Sequence, residues 1–330
     1  MSYTHLTAFD RGQIQALLQA GKGKSEIARM LKRHPSSIGR EIRRNGVKGT
    51  YEAERAHVRY RERRKECRPY PKLEYKPLWD YVLDKLGCCW SPDQIAHRLR
   101  LVFPDNPRMR ISHEALYQAL YTDDRLTPFI RYLRQARPKR RKRGQGKSHR
   151  CLIPNRTPIG HRPPEVEQRL HFGDWEADLV LGKNQDGAVL SLVGRKSRLL
   201  LARVVRSKQS EEVIQAAIAA LENLPSGWAR SITFDNGTEF YHHHRITLEL
   251  GIATYFADPY AAYQRGTNEN TNGLLRQYLP KGTCFKNLTQ TQLDVIVDEI
   301  NNRPRKILGY LKPNEVFQAF RRIAPVALSS

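Results

Sequence analysis

Apolar residues near the N-terminus recur at the three- and four-residue spacing of one face of a helix. They form three short stripes: Ile14, Leu17 and Leu18; Ile27, Met30 and Leu31; and Ile38 with Ile42. Glycines or a His-Pro pair separate the stripes, and Ser25 and either Ser36 or Ser37 stand where a helix cap is expected. Three short helices that share one small core predict a helix-turn-helix.

The third of these helices is basic on the side opposite its isoleucines. Arg40, Arg43 and Arg44 are expected to be exposed there, and Ser36 and Ser37 lie near the start of the helix. In a helix-turn-helix the recognition helix enters the major groove, so these five residues are candidate DNA contacts. The alternative is an ordinary helical domain with a solvated basic face.

Two further capped helices are predicted in the segments WSPDQIAHRLR and ISHEALYQALY. Ser91 followed by Pro92 marks the start of one, and Ser112 can cap the other. The pair resembles a helix-turn-helix with a longer turn. Because two capped amphipathic helices occur in many folds, contact of this unit with DNA stays open.

A strongly basic segment without acidic residues, RQARPKRRKRGQGKSHR, follows these helices. Its proline and glycines predict an extended linker, and Arg137, Arg140, Arg141 and Arg143 are candidate contacts to DNA phosphates. A solvated spacer is the alternative.

The apolar pattern changes from Phe172 onward to short runs typical of strands. ADLVLG predicts one strand, AVLSLVGRKSRLLLARVV an antiparallel hairpin, and SITF and IATYFAD two more strands separated by helical segments. The resulting order, β-β-β-α-β-α-β-α, indicates a mixed α/β domain.

The amino-acid composition indicates the kind of partner that the chain binds. The 330 residues include 57 Lys and Arg against 33 Asp and Glu, which gives a formal net charge of +24. Such an excess favours a polyanionic partner. No apolar run is long enough for a membrane span or a signal peptide, and the five cysteines are scattered. We therefore expect a cytoplasmic protein with reduced thiols and no membrane partner.

Carboxylates at three places are candidates for a metal site. They are Asp174, Glu176 and Asp178 in DWEAD, Asp235 in FDNG, and Glu269 in NEN. Each has an ordinary explanation: solvent-facing strand residues, a common turn sequence and an acid in the first turn of a helix. Together, at strand ends and a helix start in a basic chain, they suggest a divalent-metal site. The residues alone do not choose among the three acids of DWEAD.

Several longer strings carry a specific resemblance. GDWEADLVLG, TFDNGTEF, QRGTNENTNGLLRQYLPKGTCF and NNRPRKILGYLKPNEVF resemble the insertion-sequence-thirty family of bacterial transposases, as do SEIARMLKRHPSSIGREIRRN and the second helical unit. The resemblance spans nearly the whole chain. One departure is Tyr263, where the family pattern has tryptophan before Gln-Arg-Gly; it lies outside the acidic positions.

The resemblance implies an RNase H-like, integrase-type core with an Asp, Asp, Glu catalytic triad. The matching positions are Asp178, Asp235 and Glu269, with Mg²⁺ as the expected cofactor and Mn²⁺ as a possible substitute. Neighbouring donors suited to DNA phosphate and sugar are Gln264, Arg265, Asn268, Asn270 and Arg276. The three tandem histidines from His242 to His244 are expected to be mostly solvated.

The fold class expected is therefore multidomain: all-α helix-turn-helix units followed by an α/β RNase H-like core with a mixed sheet. The predicted domains are residues 1–65, 66–135, a linker at 136–160, and a catalytic domain at 161–330. The implied function is binding of terminal inverted repeats in double-stranded DNA, then metal-dependent strand cleavage and transfer into target DNA. The family also implies a homodimer or larger oligomer in the bacterial cytoplasm, associated with the nucleoid. A nuclease or resolvase without joining activity and a DNA-binding regulator with an inactive core are the alternatives.

Overall fold

A computed structural model describes residues 5–47, 49–66, 72–134, 153–225, 227–259 and 261–323. The chain divides into two compact units, Met1–Lys72 and Leu73–Ser330. The basic linker candidates Arg137, Arg140, Arg141 and Arg143 lie outside the described residues.

The first unit is a small helical domain built around one apolar cluster. Its helices are α1 (Ala8–Gln19), α2 (Lys24–Met30), α3 (Pro35–Asn45) and α4 (Ala53–Glu66). Ile14, Ile27 and Ile38, one from each predicted stripe, are fully buried together. The shared core is thus confirmed. Met30 was wrongly included, because its side chain is 56% exposed.

The predicted serine caps of the first unit are wrong. The N-cap of α3 is His34, whose ring Nδ1 accepts a hydrogen bond from the backbone N of Ser36. Pro35 explains the earlier start, since proline has no N–H and its fixed φ suits the first helical position. The N-cap of α2 is Gly23, so Ser25 lies inside the helix.

The second unit begins with three helices, α5 (Lys76–Gly87), α6 (Pro92–Val102) and α7 (His113–Thr122). The caps predicted here are confirmed: Ser91 forms a reciprocal capping box with Gln94, and Ser112 accepts from the third residue of α7. These helices share an apolar cluster of their own. Gln94 also donates to the carbonyl of Pro304 at 2.7 Å, which ties α6 to the C-terminal part of the same unit.

A five-stranded mixed sheet forms the centre of the second unit. The short helix α8 (Pro164–Gln168) precedes it, and the strands are β1 (Asp174–Leu181), β2 (Ala188–Gly194), β3 (Leu200–Val205), β4 (Ser231–Phe234) and β5 (Ala253–Phe256). The spatial order is β3-β2-β1-β4-β5, with β1, β2 and β3 antiparallel and β4 and β5 parallel to β1. This topology confirms the RNase H-like fold.

Helices cover the sheet in the predicted sequence. They are α9 (Ser210–Leu221), α10 (His244–Leu250), α11 (Gly266–Tyr278), α12 (Gln290–Asn301) and α13 (Pro313–Ile323). One face of β1 contributes Trp175 and Ala177 to the cluster shared with α9, and the other contributes Val180 to the cluster shared with Leu274 and Leu275 of α11. Side chains alternate between faces along a strand. Asp174, Glu176 and Asp178 therefore all lie on the α11 side.

No helix in the described parts of the chain is both long and apolar enough to cross a membrane. Cys88, Cys89 and Cys284 are free thiols, as expected, and Cys67 and Cys151 are not among the described residues.

Candidate active site and nucleic-acid interface

Two of the three predicted catalytic acids lie around one arginine. Asp178 belongs to β1, and Asp235 follows the last residue of the parallel neighbour β4. Nη2 of Arg265 donates to Oδ2 of Asp235 at 2.9 Å, and its Nη1 lies 3.8 Å from Oδ1 of Asp178. Neighbouring parallel strands thus bring the two carboxylates to the same edge of the sheet, as predicted.

The environment of Asp178 disfavours its ionised form. Burial raises the pKa of this carboxyl to about 6; Arg265 opposes the shift, and the charge of Asp235 adds to it. The side chain is still 28% exposed, so a ligand can reach it. Two like charges sharing one guanidinium form a site where additional positive charge is stabilising.

Glu269 lies on the first turn of α11 and is exposed. One turn before it stands Arg265, and one turn after it stands Asn272, whose Nδ2 donates to Oδ2 of Asp178 at 2.6 Å. Residues three and four apart share a helix face, so Glu269 lies on the face of α11 that meets Asp178. Among the described residues, however, no three His, Cys, Asp or Glu side chains are gathered closely enough to hold a metal ion.

A fourth carboxylate, Glu239, was not predicted. Burial raises its pKa, and the charge of Asp235 raises it further, while Lys208 and Arg265 oppose the shift. Glu239 in turn raises the pKa of Asp178. Its place in FDNGTEF, just past Asp235, was the available signal. It is a second candidate for the acid that completes the site.

The other two acids of β1 are interior residues, so the solvent-facing interpretation is wrong. Asp174 is 2% exposed and accepts from the Ser231 hydroxyl at 2.6 Å. Glu176 is fully buried; its Oε1 pairs with Nη1 of Arg195 at 2.6 Å, and its Oε2 accepts from the backbone N of Asn268 at 2.9 Å. Their burial separates these two acids from the partly exposed Asp178 and Asp235, and Glu176 anchors the start of the helix that carries Glu269.

The predicted DNA contacts near α11 differ in accessibility. Gln264 is partly exposed and exchanges two hydrogen bonds with Asp258. Asn268 is only 1% exposed, so its side chain is not on the surface where the sequence analysis expected it. Arg276 turns inward to the carbonyl of Leu181, and burial lowers its pKa. Tyr263, the departure from the family pattern, is 82% exposed.

The basic face of α3 is accessible as predicted. Arg40, Arg43 and Arg44 are exposed, and the Arg40 guanidinium contacts the backbone carbonyl and hydroxyl of Ser36. On the inner side, Glu41 pairs with buried Arg11 of α1 at 2.8 Å. That pair fixes the rotation of α3, so its arginines face outward. By contrast, α7 contains neither lysine nor arginine.

The tandem histidines do not join the acidic site. His242 is partly exposed and His244 is exposed, but His243 is 3% exposed and contacts Thr254 and the carbonyl of Pro154. Burial lowers the pKa of His243. The solvated interpretation is therefore wrong for this central histidine, which is part of the packing beneath β5.

A helix-turn-helix unit with an exposed basic helix, followed by an RNase H-like sheet with acids at its edge, defines the class of DNA-processing proteins with an integrase-type core. A helix-turn-helix domain model matches residues 2–45. The chain belongs to the IS30 family of insertion-sequence transposases, because curated members match it over nearly its full length.

Three relatives illustrate this membership. The transposase InsI for insertion sequence element IS30C of Escherichia coli (strain K12) is 39% identical, over 95% of this chain and 83% of the relative. The transposase for IS1086 of Cupriavidus metallidurans is 39% identical, over 95% and 94%. The transposase for IS4351 of Bacteroides fragilis is 37% identical, over 99% of each.

Among solved structures, the catalytic core domain of BIV integrase is similar to part of the chain. The similarity covers 46% of this chain and 96% of that one, at 19% identity and a TM-score of 0.36.

Proposed function

We propose that this chain recognises the terminal inverted repeats of its insertion sequence and cuts and joins DNA strands at a site formed by Asp178, Asp235 and Glu269. The observation that carries the proposal is the pairing of Asp178 and Asp235 around Arg265, with Glu269 on the adjoining face of α11. The family relationship supports strand transfer over simple cleavage, since the relatives are named transposases.

The residues of the site suit divalent cations. Carboxylate oxygens are the ligands that Mg²⁺ and Mn²⁺ prefer, and the guanidinium of Arg265 already contacts both aspartates, so their arrangement accepts positive charge. Asp178, Asp235 and Glu269 would hold the metal. The chemistry that two such ions supply when bound is activation of a water or 3′-hydroxyl and stabilisation of the leaving oxygen during in-line displacement at phosphorus.

The protein's own groups orient this site. Asn272 holds one oxygen of Asp178, and the backbone N of Gly237 donates to Oδ1 of Asp235 at 3.0 Å. Glu176 fixes the first turn of α11 through the backbone N of Asn268. These hydrogen bonds leave the carboxylates in set orientations before DNA arrives, which reduces the reorganisation needed for the reaction.

Recognition of the element ends is assigned to the first unit. The exposed arginines of α3 offer guanidinium groups suited to guanine edges and phosphates. A transposase must hold two element ends, so we propose a homodimer or larger oligomer on DNA. We further propose that it acts in the cytoplasm, at the nucleoid.

The test is a strand-transfer assay on pre-cut element ends with Mg²⁺, using Asp178→Asn, Asp235→Asn and Glu269→Gln. Each change keeps the side-chain shape and removes the charge that binds metal, so each is expected to abolish joining while DNA binding persists. Cleavage of uncut ends should be lost in parallel.

Glu239→Gln is the matched control, because Glu239 is the other glutamate near both aspartates. We expect it to retain joining. If Glu239→Gln abolished joining and Glu269→Gln did not, the third acid would be Glu239. A wild-type protein that cleaves ends without ever joining them would contradict the transposase proposal in favour of a nuclease.

A further inference from the structure

A cavity of about 420 Å³ in the second unit has a strongly basic lining. It lies between α11, the start of α6 and the segment after α12. Its charged lining residues are Arg134, Arg169, Arg198, Arg303, Arg305, Lys306 and a single acid, Asp93. Five arginines and a lysine against one carboxylate make this a site of concentrated positive charge.

The cavity arginines donate their hydrogen bonds to neutral groups, and the buried Nε atoms of Arg169 and Arg198 have no hydrogen-bond partner among the described residues. Arg198 donates to the hydroxyl of Thr267, Arg303 to the side chain of Gln277, and Arg305 to the carbonyl of Ile300. Asp93 is engaged elsewhere, by the hydroxyl of Tyr310 and by His97. Within the described residues, none of the six cations forms an ion pair with a carboxylate, so the cavity holds uncompensated charge.

Burial makes that charge costly. Arg303 is 3% exposed and Arg305 is 9% exposed. Burial, together with the charges of Arg303, Arg134 and Arg198, lowers the pKa of Arg305 to about 9. Proteins seldom bury cations without an anionic partner. An anionic ligand that binds in the cavity would compensate the charge of these arginines.

The exposure of the lining residues indicates how an anion enters the cavity. Arg303 and Arg305 are buried in its wall, whereas Arg134 and Lys306 are exposed at its mouth. Thr267, Asn270 and Leu274 of α11 line the cavity. With 3.6 residues per turn, they lie on the side of α11 opposite Glu269 and Asn272. One helix thus separates the cavity from the acidic site.

We propose that this cavity binds a backbone phosphate of DNA, at a position distinct from the carboxylate site on the other side of α11. Guanidinium groups arranged around one space match the oxygens of a phosphodiester. The exposed cations at the mouth allow a continuous strand to reach the buried ones. The inference rests on the proposed action on DNA and adds the cavity's arginines to Asn270, the one lining residue that the sequence analysis named as a DNA contact.

The test is equilibrium binding of the full-length protein to duplex DNA of random sequence, with EDTA present, across a range of salt concentrations. The variants are the double change Arg134→Gln with Lys306→Gln at the exposed mouth, and Arg198→Gln in the wall. Removing one phosphate interaction is expected to reduce the log–log salt slope by about 0.9. Arg198→Gln should also raise the thermal unfolding midpoint, because it removes charge from a repulsive cluster, whereas a purely structural arginine would lower it.

The matched control is Arg245→Gln. It removes the same charge from the same unit, but Arg245 pairs with Glu249 at 2.8 Å. An unchanged slope in this control, with flattened slopes in the cavity variants, supports the proposal. An unchanged slope in the cavity variants, or equal flattening in the control, overturns it.

Binding of pyrophosphate tests whether the cavity's ligand is a DNA phosphate or a small anion. If pyrophosphate stabilises the wild-type protein but not the cavity variants, while their DNA slopes match wild type, the cavity takes a small anion and the DNA assignment is wrong. Because the measurement needs neither metal nor element ends, its outcome is independent of whether the protein cuts or joins strands.

Discussion

Nη2 of Arg265 donates a hydrogen bond to Oδ2 of Asp235 at 2.9 Å. Arg265 was predicted to contact DNA, but in the structure its guanidinium serves as a counter-charge within the acidic site. This hydrogen bond joins the residue that follows β4 to the start of α11. It leaves less positive charge for Asp178, which the same guanidinium approaches only to 3.8 Å. The ionised form of Asp178 is therefore disfavoured at this position.

Asp178→Asn is expected to stabilise the metal-free protein at neutral pH. Burial raises the pKa of Asp178 from 3.8 to about 6, so ionisation of this group costs stability in the folded state. Because the folded pKa lies above the unfolded one, the wild type loses stability as pH rises through that window. From the shift, the variant should gain about 3 kcal/mol well above pH 6 and nothing below pH 4.

Denaturant unfolding in EDTA at several pH values measures this difference. In an Arg265→Gln background the gain from Asp178→Asn should be larger, because Arg265 is the charge that lowers the pKa of Asp178. A gain that does not vary with pH would show that ionisation of Asp178 is not its source.

Glu176→Gln is expected to lower the free energy of unfolding by about 3 kcal/mol. The change leaves buried Arg195 with only the exposed carboxylate of Glu167 as an anionic partner, and breaking a buried ion pair costs this much in other proteins. Strand transfer should persist at temperatures where the variant is folded. Glu249→Gln removes an exposed partner of Arg245 and should cost less than about 1 kcal/mol. Equal losses in the two variants would contradict a special role for the buried pair.

Arg40→Ala and Arg43→Ala are expected to weaken binding to the terminal repeat more than binding to random DNA. Both side chains are exposed on α3, and an arginine paired with guanine contributes roughly 1–3 kcal/mol of discrimination. Anisotropy titrations with both DNAs measure the difference. Lys24→Ala, on α2, is the control. Equal losses on both DNAs would mean that the two arginines contact phosphates only.

Neutralising Arg140, Arg141 and Arg143 is expected to flatten the salt dependence of DNA binding without changing sequence preference. For each phosphate that the variant no longer neutralises, the log–log slope should fall by about 0.9. The same titrations on random DNA provide the measurement. A slope equal to that of the wild type would make the segment a spacer.

The sequence predicted those parts of the fold that depend on local pattern. Apolar runs located the five strands of the sheet, and the end of the run SITF located Asp235. It did not predict the pairing of Glu176 with Arg195, because that contact depends on how the β2–β3 hairpin aligns with β1. The basic cavity was likewise hidden, since Arg198 and Arg305 meet only when distant segments pack together. Family resemblance, not pattern, selected Asp178 over its neighbours.

The alternation along β1 has a consequence for how this protein can change. Acids at every second position share one face, while Trp175 and Ala177 between them fill the opposite core. A one-residue insertion or deletion between Asp174 and Asp178 would exchange the two faces downstream of it, burying Asp178 in the apolar core or losing its β2 register. Substitutions on this strand change one side chain at a time, whereas a change of its length at this point displaces the acidic face and the core-facing residues together.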